Sequence, residues 1–249
     1  MRKAVRLASK TQGIAESSVG PMFDRIAPTY DLLNHLLSFG QDCVWRSRVV
    51  GQVRGGPRLK IIDLATGTGD LLIALLRGRA EIVEAVGLDI SENMLAVCRE
   101  KLNRHKFGRS VQIVLADASA TPFPDRSFEV VTMAFGIRNT ADTPATLGEI
   151  HRILKPGGEA LILEFSLPRS RVIRWCYLQY LRVIVPFIGR LVSGDTHAYR
   201  YLDRSIEDYH QPDRFSSFMR QAGFHDVSVI PLTFGVASIY RGGKGLPSG

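Results

Sequence analysis

The sequence is poor in cysteine and in any run fit to cross a membrane. Its three cysteines, Cys43, Cys98 and Cys176, are widely spaced and form no C-x-x-C pair. An odd, scattered set argues against a disulfide framework or a metal site and suits a reducing compartment. No apolar leader opens the chain, because Met1 to Ser18 is basic and polar; no secretory signal is expected and a cytoplasmic location is. The apolar stretch Val172 to Gly189 is broken by Arg174, Arg182 and Pro186, and it falls short of the roughly 20 apolar residues that span a bilayer. Acidic residues are also in deficit. With 24 Asp and Glu against 32 Lys and Arg, the formal charge is +8. Nucleic acid and an anionic membrane surface both qualify as partners for such a chain, and a soluble enzyme that is simply basic does too. The lack of an aromatic-basic RNA motif or an appended binding domain argues against nucleic acid.

What is present is a glycine turn between two regular elements. Leu59 to Leu64 is a short apolar run suited to a buried strand; Gly67-Thr68-Gly69 follows, and Asp70 to Leu76 has helix-forming composition. Strand, glycine turn and helix open a nucleotide-binding α/β unit. Leu72 occupies the place of the third glycine of G-x-G-x-x-G, and Asp70 puts a negative charge where a pyrophosphate would sit. Both features favour a cofactor without phosphate, such as S-adenosylmethionine, over a dinucleotide. Asp89 ends the next strand-like run, where its carboxylate suits two ribose hydroxyls. Asp117 follows the third strand, Val111 to Leu115, and suits either an adenine amino group or a helix N-cap.

At 249 residues the chain is expected to form one α/β domain with extensions. Residues 1–19 look like a mobile basic tail, and 20–56 a helical cap in which Leu32, Leu33, Leu36 and Leu37 recur at helical spacing. Tyr30, Asn34 and Trp45 in this cap suit either packing and capping or a functional role. Residues 57–243 form the main domain, with an insertion at about 168–222 and a short tail at 244–249. Ser91 is the expected N-cap of a helix. The fourth strand, Phe128 to Phe135, ends in Gly136-Ile137-Arg138-Asn139, in the ligand crevice of an open sheet. A buried Arg138 requires an anionic partner. Thr143 to Leu154 is expected to be a helix stopped by Lys155-Pro156-Gly157-Gly158, before a fifth strand over Ala160–Phe165. Two closing strands, Phe224 to Leu232 and Phe234 to Tyr240, have a link short enough for an antiparallel pair. Val172 to Gly189 is either a helix covering the core or an apolar lid touching membrane; Arg169, Arg171, Arg174 and Arg190 favour the lid.

Several stretches together resemble one family. Tyr30-Asp31, Asn34, Ser38 and Trp45 are similar to the N-terminal signature of the UbiE/MenG family, the C-methyltransferases of menaquinone and ubiquinone biosynthesis. Arg152 to Gly158 continuing to Glu164-Phe165-Ser166 is similar to a second signature. Phe135 to Asn139, Tyr199 to Leu202 with Ser205-Ile206, and Gly235 to Ala237 with Arg241-Gly242 extend the resemblance over about 21–243. Leu33, Asp42 and Ala134 depart from it, standing where methionine, histidine and a cofactor-contacting serine are common. The resemblance implies a Rossmann-like class I fold with a mostly parallel seven-stranded sheet and an antiparallel last strand. It implies S-adenosylmethionine as cofactor, with Gly67, Thr68, Gly69, Asp89, Asp117 and Ala118 at its contacting positions. It also implies a polyprenyl quinol as methyl acceptor. On the chemistry, Arg138 is expected to stabilise the phenolate and Asn139 to orient the ring, and His197 is a weak candidate for the general base. The alternatives are a basic RNA-associated methyltransferase and a module that binds the cofactor without transfer.

Overall fold

The computed structural model describes residues 21, 23–27, 30–54, 56–78, 80–187, 205–206, 209 and 211–246. The basic tail, His197, Arg190 and the Tyr199 to Leu202 stretch lie outside the described residues. Seven strands form one sheet: β1 (Leu59–Leu64), β2 (Ile82–Asp89), β3 (Val111–Leu115), β4 (Phe128–Ala134), β5 (Leu154–Phe165), β6 (His225–Leu232) and β7 (Ala237–Gly243), in the spatial order β3-β2-β1-β4-β5-β7-β6. The pairs from β3 to β5 are parallel, and β7 runs antiparallel to both its neighbours. The order reverses between β1 and β4, so the ligand crevice belongs beyond their carboxyl ends.

Helices cover both faces, and the period-2 alternation of the strands decides which residue meets which layer. On one face Ile61, Ala85, Val130, Leu161 and Ile239 pack against α2 (Gln41–Val50), α3 (Asp70–Leu76) and α4 (Glu92–Arg104). On the other, Ile62, Val86, Val131, Ile162 and Tyr240 pack against α5 (Thr143–Ile153) and α7 (Pro212–Gln221). α1 (Tyr30–Leu37) and α6 (Arg171–Gln179), which runs on into a π-helical turn at Tyr180–Ile184, build a smaller core. In it Leu33 meets Leu181, Val185 and Ile206. No helix among the described residues is long and apolar enough to cross a membrane.

The expected caps form. Ser91 Oγ accepts from the Met94 N–H at 3.1 Å, and Asp142 accepts from the Ala145 N–H at 2.9 Å at the start of α5. Lys155 to Gly158 does something different from stopping a helix. α5 ends at Ile153, and these residues bulge out of β5 between the pairs Phe128–Leu154 and Val130–Glu159. The cation at the helix end comes from far along the chain, since Lys244 Nζ donates to the carbonyls of His151 and Leu154 at 2.7 and 2.9 Å.

The turn after β1 needs glycine for two separate reasons. Gly67 has φ +56 and open space where a Cβ would stand, whereas Gly69 has φ +86 and a Cβ there would meet Cys98 Sγ at 2.5 Å. The packing of α4 on the turn therefore requires glycine at position 69. Gly69→Ala should lower stability by more than the roughly 1–2 kcal/mol of a left-handed alanine, because overlap with Cys98 adds to it. Combining it with Cys98→Ala should recover the overlap part alone, which thermal denaturation of the single and double variants would resolve.

Candidate active site

Two cavities open beyond the carboxyl ends of β1 and β4. The residues that leave these strands, Ala65 (φ +48) and Phe135 (φ +57), both hold left-handed backbone. Strain of this kind persists where the surroundings over-determine it. A Cβ on Gly136 would stand 2.5 Å from Ala65 Cβ, so the two strand ends approach as closely as glycine permits.

The first cavity, of about 250 Å³, is lined by Gly67, Asp89, Asp117, Ala118, Ala134 and Asn139 among others. Asp89 is buried, and its two oxygens accept the N–H groups of Gly67 at 2.8 Å and Ser91 at 2.9 Å. Burial pushes its carboxyl up, against the pull of these backbone hydrogen bonds. The Ile90 N–H acts on the same carboxyl, and of the roughly four lone-pair positions of a carboxylate about one is left for a ligand. Asp117 accepts the Ser119 N–H at 2.7 Å and the Ser119 hydroxyl at 2.8 Å, which makes it the cap of a tight turn rather than of a helix. Two carboxylates and no lysine or arginine line this cavity among the described residues. That charge pattern repels a pyrophosphate and suits a sulfonium cation.

Thr68 is placed elsewhere. Its hydroxyl donates to Asp31 at 2.5 Å and accepts from Lys101 Nζ at 3.2 Å. Lys101 also pairs with Asp31 at 2.7 Å and with Asp70. Thr68 thus fastens α1 to the glycine turn, and Asp70 serves the same charge cluster. Asp63, buried under the turn at the end of β1, accepts from Thr132 at 2.6 Å and Thr66 at 2.7 Å. Burial pushes its carboxyl up to about 6 despite these two donors. The aspartate thereby stiffens the strand end from below.

The second cavity, of about 270 Å³, is predominantly apolar. Its walls come from α1 and α2 (Leu33, Trp45), from the strand ends (Phe135, Phe165) and from α6 with its π-helical turn (Tyr177, Leu181). Phe23, Tyr30 and Phe135 line both cavities and so form their common wall. Burial pushes the Tyr30 hydroxyl up, opposed by Arg138 and by a hydrogen bond from Asn34. Tyr30 and Asn34 thus line the apolar cavity, a placement that helical spacing in the sequence could not separate from packing in the core.

Arg138 lines the apolar cavity and Asn139 the first one. The anion that a buried Arg138 requires is Glu164, which is fully buried and accepts from Nη1 at 2.7 Å; the same nitrogen donates to the Phe135 carbonyl at 2.6 Å. Burial pushes the Glu164 carboxyl up, and Arg138 opposes it. The pair is nearly neutral as a unit, so the expectation that a buried Arg138 needs an anionic partner is met within the protein itself. Asn139 Nδ2 donates to the Phe135 carbonyl at 3.2 Å. On the α1–α2 side, Asp42 takes Ser38 Oγ at 2.8 Å, Arg46 at 2.5 Å and His35 Nδ1 at 2.6 Å. Burial pushes its carboxyl up, but the Ser38 and Arg46 hydrogen bonds outweigh that and hold it below the usual range. His35, Asp42 and Cys43 bring three metal-type donors within 4.8 Å of one another, yet the Asp42 oxygens are already engaged by protein donors, one of them a guanidinium.

The seven-stranded sheet, its switch-point crevice and a first cavity lined by no lysine or arginine among the described residues are those of a Rossmann-like S-adenosylmethionine-dependent methyltransferase. The chain belongs to the ubiE/COQ5 methyltransferase family, whose model matches residues 11–244. It is 46% identical over 223 residues to the demethylmenaquinone methyltransferase of Thermus thermophilus, covering 90% of this chain and all of that one. It is 42% identical over 241 residues to the ubiquinone/menaquinone biosynthesis C-methyltransferase UbiE of Geobacter sulfurreducens, covering 97% and 92% of the two chains. Among solved structures, an S-adenosylmethionine-dependent methyltransferase from Aquifex aeolicus superposes with a TM-score of 0.57 at 16% identity, covering 80% of this chain and 88% of that one. The [4+2]-cyclase SpnF superposes with a TM-score of 0.68 at 15% identity, covering 92% and 96%. These two likenesses concern the fold alone.

Asp89→Ala should weaken S-adenosylmethionine binding at least tenfold, because a lost charge-assisted hydrogen bond costs about 1.5–3 kcal/mol. Calorimetry giving an unchanged affinity would remove Asp89 from the ribose role, and NAD binding of comparable strength would restore the dinucleotide reading.

Proposed function

We propose that the protein methylates a ring carbon of a reduced polyprenyl quinol, converting demethylmenaquinol to menaquinol, with C-methylation in the ubiquinol pathway as a related activity. The observation that carries this reading is the pairing of a small anionic cavity with an apolar one across the shared wall of Phe23, Tyr30 and Phe135. The similarity to the demethylmenaquinone methyltransferase of Thermus thermophilus and to UbiE of Geobacter sulfurreducens supports the same acceptor class. Gly67, Asp89, Asp117 and Ala118 would hold the adenosine part of the cofactor. Thr68 and Gly69 act on the turn itself, through Asp31 and Cys98.

S-adenosylmethionine supplies an electrophilic methyl on a positive sulfonium. The acceptor must be electron-rich, so a quinol or its phenolate reacts and the oxidised quinone does not. Carbon–carbon bond formation at the ring is followed by loss of the ring proton, which restores the aromatic quinol. Arg138, its charge balanced by Glu164, presents a guanidinium to the phenolate without leaving an uncompensated cation in an apolar cavity. Asn139, anchored on the Phe135 carbonyl, orients the ring from the cofactor side. Phe135, Phe165 and Trp45 exclude water, which strengthens both interactions. Methylation of a demethylmenaquinone analogue should require a reductant; equal rates with the oxidised quinone would refute the phenolate route.

The helix from Arg171 serves as the lid over the polyprenyl tail. Tyr177, Tyr180, Leu181 and Val185 line the apolar cavity, while Val172, Trp175, Val183 and Phe187 on the same segment are exposed. Outward apolar residues flanked by Arg169, Arg171 and Arg174 suit peripheral contact with an anionic membrane from the cytoplasmic side. Replacing Leu181 or Val185 with alanine should raise KM for long-tailed quinols far more than for short-tailed ones, since each buried CH₂ contributes about 0.8 kcal/mol. Each arginine near anionic headgroups should add roughly 1 kcal/mol to binding, reduced by salt. Liposome sedimentation with kinetics on two tail lengths tests both; equal KM shifts and no salt-sensitive binding would make the segment a plain cover.

A further inference from the structure

The turn between β6 and β7 holds three successive residues with positive φ: Thr233 at +43, Phe234 at +58 and Gly235 at +89. Glycine accepts this conformation freely, but a β-branched threonine there is an outlier. The turn is held by hydrogen bonds from three directions. The Trp45 indole N–H donates to Thr233 Oγ1 at 2.8 Å, and Thr233 Oγ1 lies 3.2 Å from Gln41 Oε1, to which it donates. Ser166 donates to the Gly235 carbonyl through its hydroxyl at 2.8 Å and to the Val236 carbonyl through its N–H at 2.9 Å. The result is a hydroxyl fixed at the wall of a predominantly apolar cavity, which Gln41, Trp45 and Thr233 all line.

These groups do not line the cofactor cavity, whereas Tyr30 and Phe135 line both. The Gln41–Thr233 pair therefore stands away from the wall through which methyl must pass. Its hydrogen-bonding capacity is also incomplete as it stands. A threonine hydroxyl has one proton and two lone pairs. Here the proton is given to Gln41 and one lone pair to Trp45, which leaves one acceptor position. The Gln41 side-chain amide adds two N–H donors, neither with a partner among the described residues. One acceptor beside one donor matches a ring hydroxyl, which gives a proton and takes one. A quinone carbonyl or a methyl ether only accepts.

We propose that Gln41 and Thr233 form the binding site for the second hydroxyl of a 1,4-quinol, the one not adjacent to the attacked carbon, and so select the reduced diol. The proposal rests on the quinol reading above and adds which groups recognise the far side of the ring. Thr233 is exposed and Gln41 half-buried in the free protein, so a bound ring covers them, and an analogue without the hydroxyl then leaves covered polar groups unpaired.

The test compares a short-tailed demethylmenaquinol analogue with its monomethyl ether at that second hydroxyl, measuring kcat/KM on both. The wild type should prefer the free quinol at least tenfold. In Gln41→Leu and in Thr233→Val the preference should fall toward one, mainly through a higher KM for the quinol, while Thr233→Ser should keep it. S-adenosylmethionine affinity and the melting temperature report whether each variant is folded, and Gln41→Leu carries the test if Thr233→Val does not fold. A wild type that methylates quinol and ether equally, or variants that lose activity on both in equal proportion, would overturn this proposal and leave the quinol reading standing. A wild type that methylates neither would overturn both.

Discussion

Both cavities exist because α1 and α2 are tied by charge to the glycine turn. Asp31 on α1 takes the Thr68 hydroxyl and the Lys101 ammonium, and Lys101 in turn reaches Asp70. Arg46 on α2 pairs with Asp42 at 2.5 Å and reaches Asp70 at 3.7 Å. Arg46 and Asp42 are buried, so removing one partner strands the other at a cost of about 3–5 kcal/mol. A second clamp lies nearer the amino end, where Asp24 accepts from Ser91 Oγ at 2.5 Å and its carbonyl from Asn93 at 3.2 Å. Without these ties, Phe23 and Tyr30 would not stand between the cavities, and the crevice would be one open trough.

The electrostatics of the two cavities are opposite in kind. The first is lined by two carboxylates and, among the described residues, by no lysine or arginine, so its field favours a positive ligand. The second matches each buried cation with an anion, Arg138 with Glu164 and Arg46 with Asp42. Such pairing lets polar groups stand in an apolar wall without a net charge to desolvate. Tilted and edge-on aromatic rings wall the apolar cavity, with Phe135 and Phe165 centred 4.5 Å apart and Trp45 about 6 Å from each.

Strain marks the same region. Ala65 and Phe135 leave the two central strands in left-handed backbone, and Thr233 and Phe234 do so at the far wall of the apolar cavity. Long-range partners hold three of these positions: the Thr66 N–H on the Leu88 carbonyl beside Ala65, the Phe135 N–H on the Leu163 carbonyl, and Trp45 on Thr233. The sheet and α2 thus supply the rigidity that ordinary turn sequences would otherwise have to provide.

The sequence by itself determined what local chemistry decides. Runs of β-branched and apolar residues marked the strands, Ser91 announced a helix start, and the short link before β7 implied an antiparallel pair. Asp89 and Asp117 were legible because a residue at the end of a parallel strand must face the crevice. The family signature also marked Tyr30, Asn34 and Arg138, without saying what each would touch. Those contacts were decided by tertiary structure, because they join residues far apart in the chain. Glu164 meets Arg138 only because β5 lies beside β4, and Thr68 turns to Asp31 only because α1 folds over the turn. Gly69 is required by Cys98, a neighbour that no spacing rule connects to it. Lys155 to Gly158 has the composition of a helix stop, yet it becomes a bulge because β4 offers backbone partners on both sides of it. Hydrogen-bond partners across a sheet depend on register and layer, and those are properties of the assembled fold.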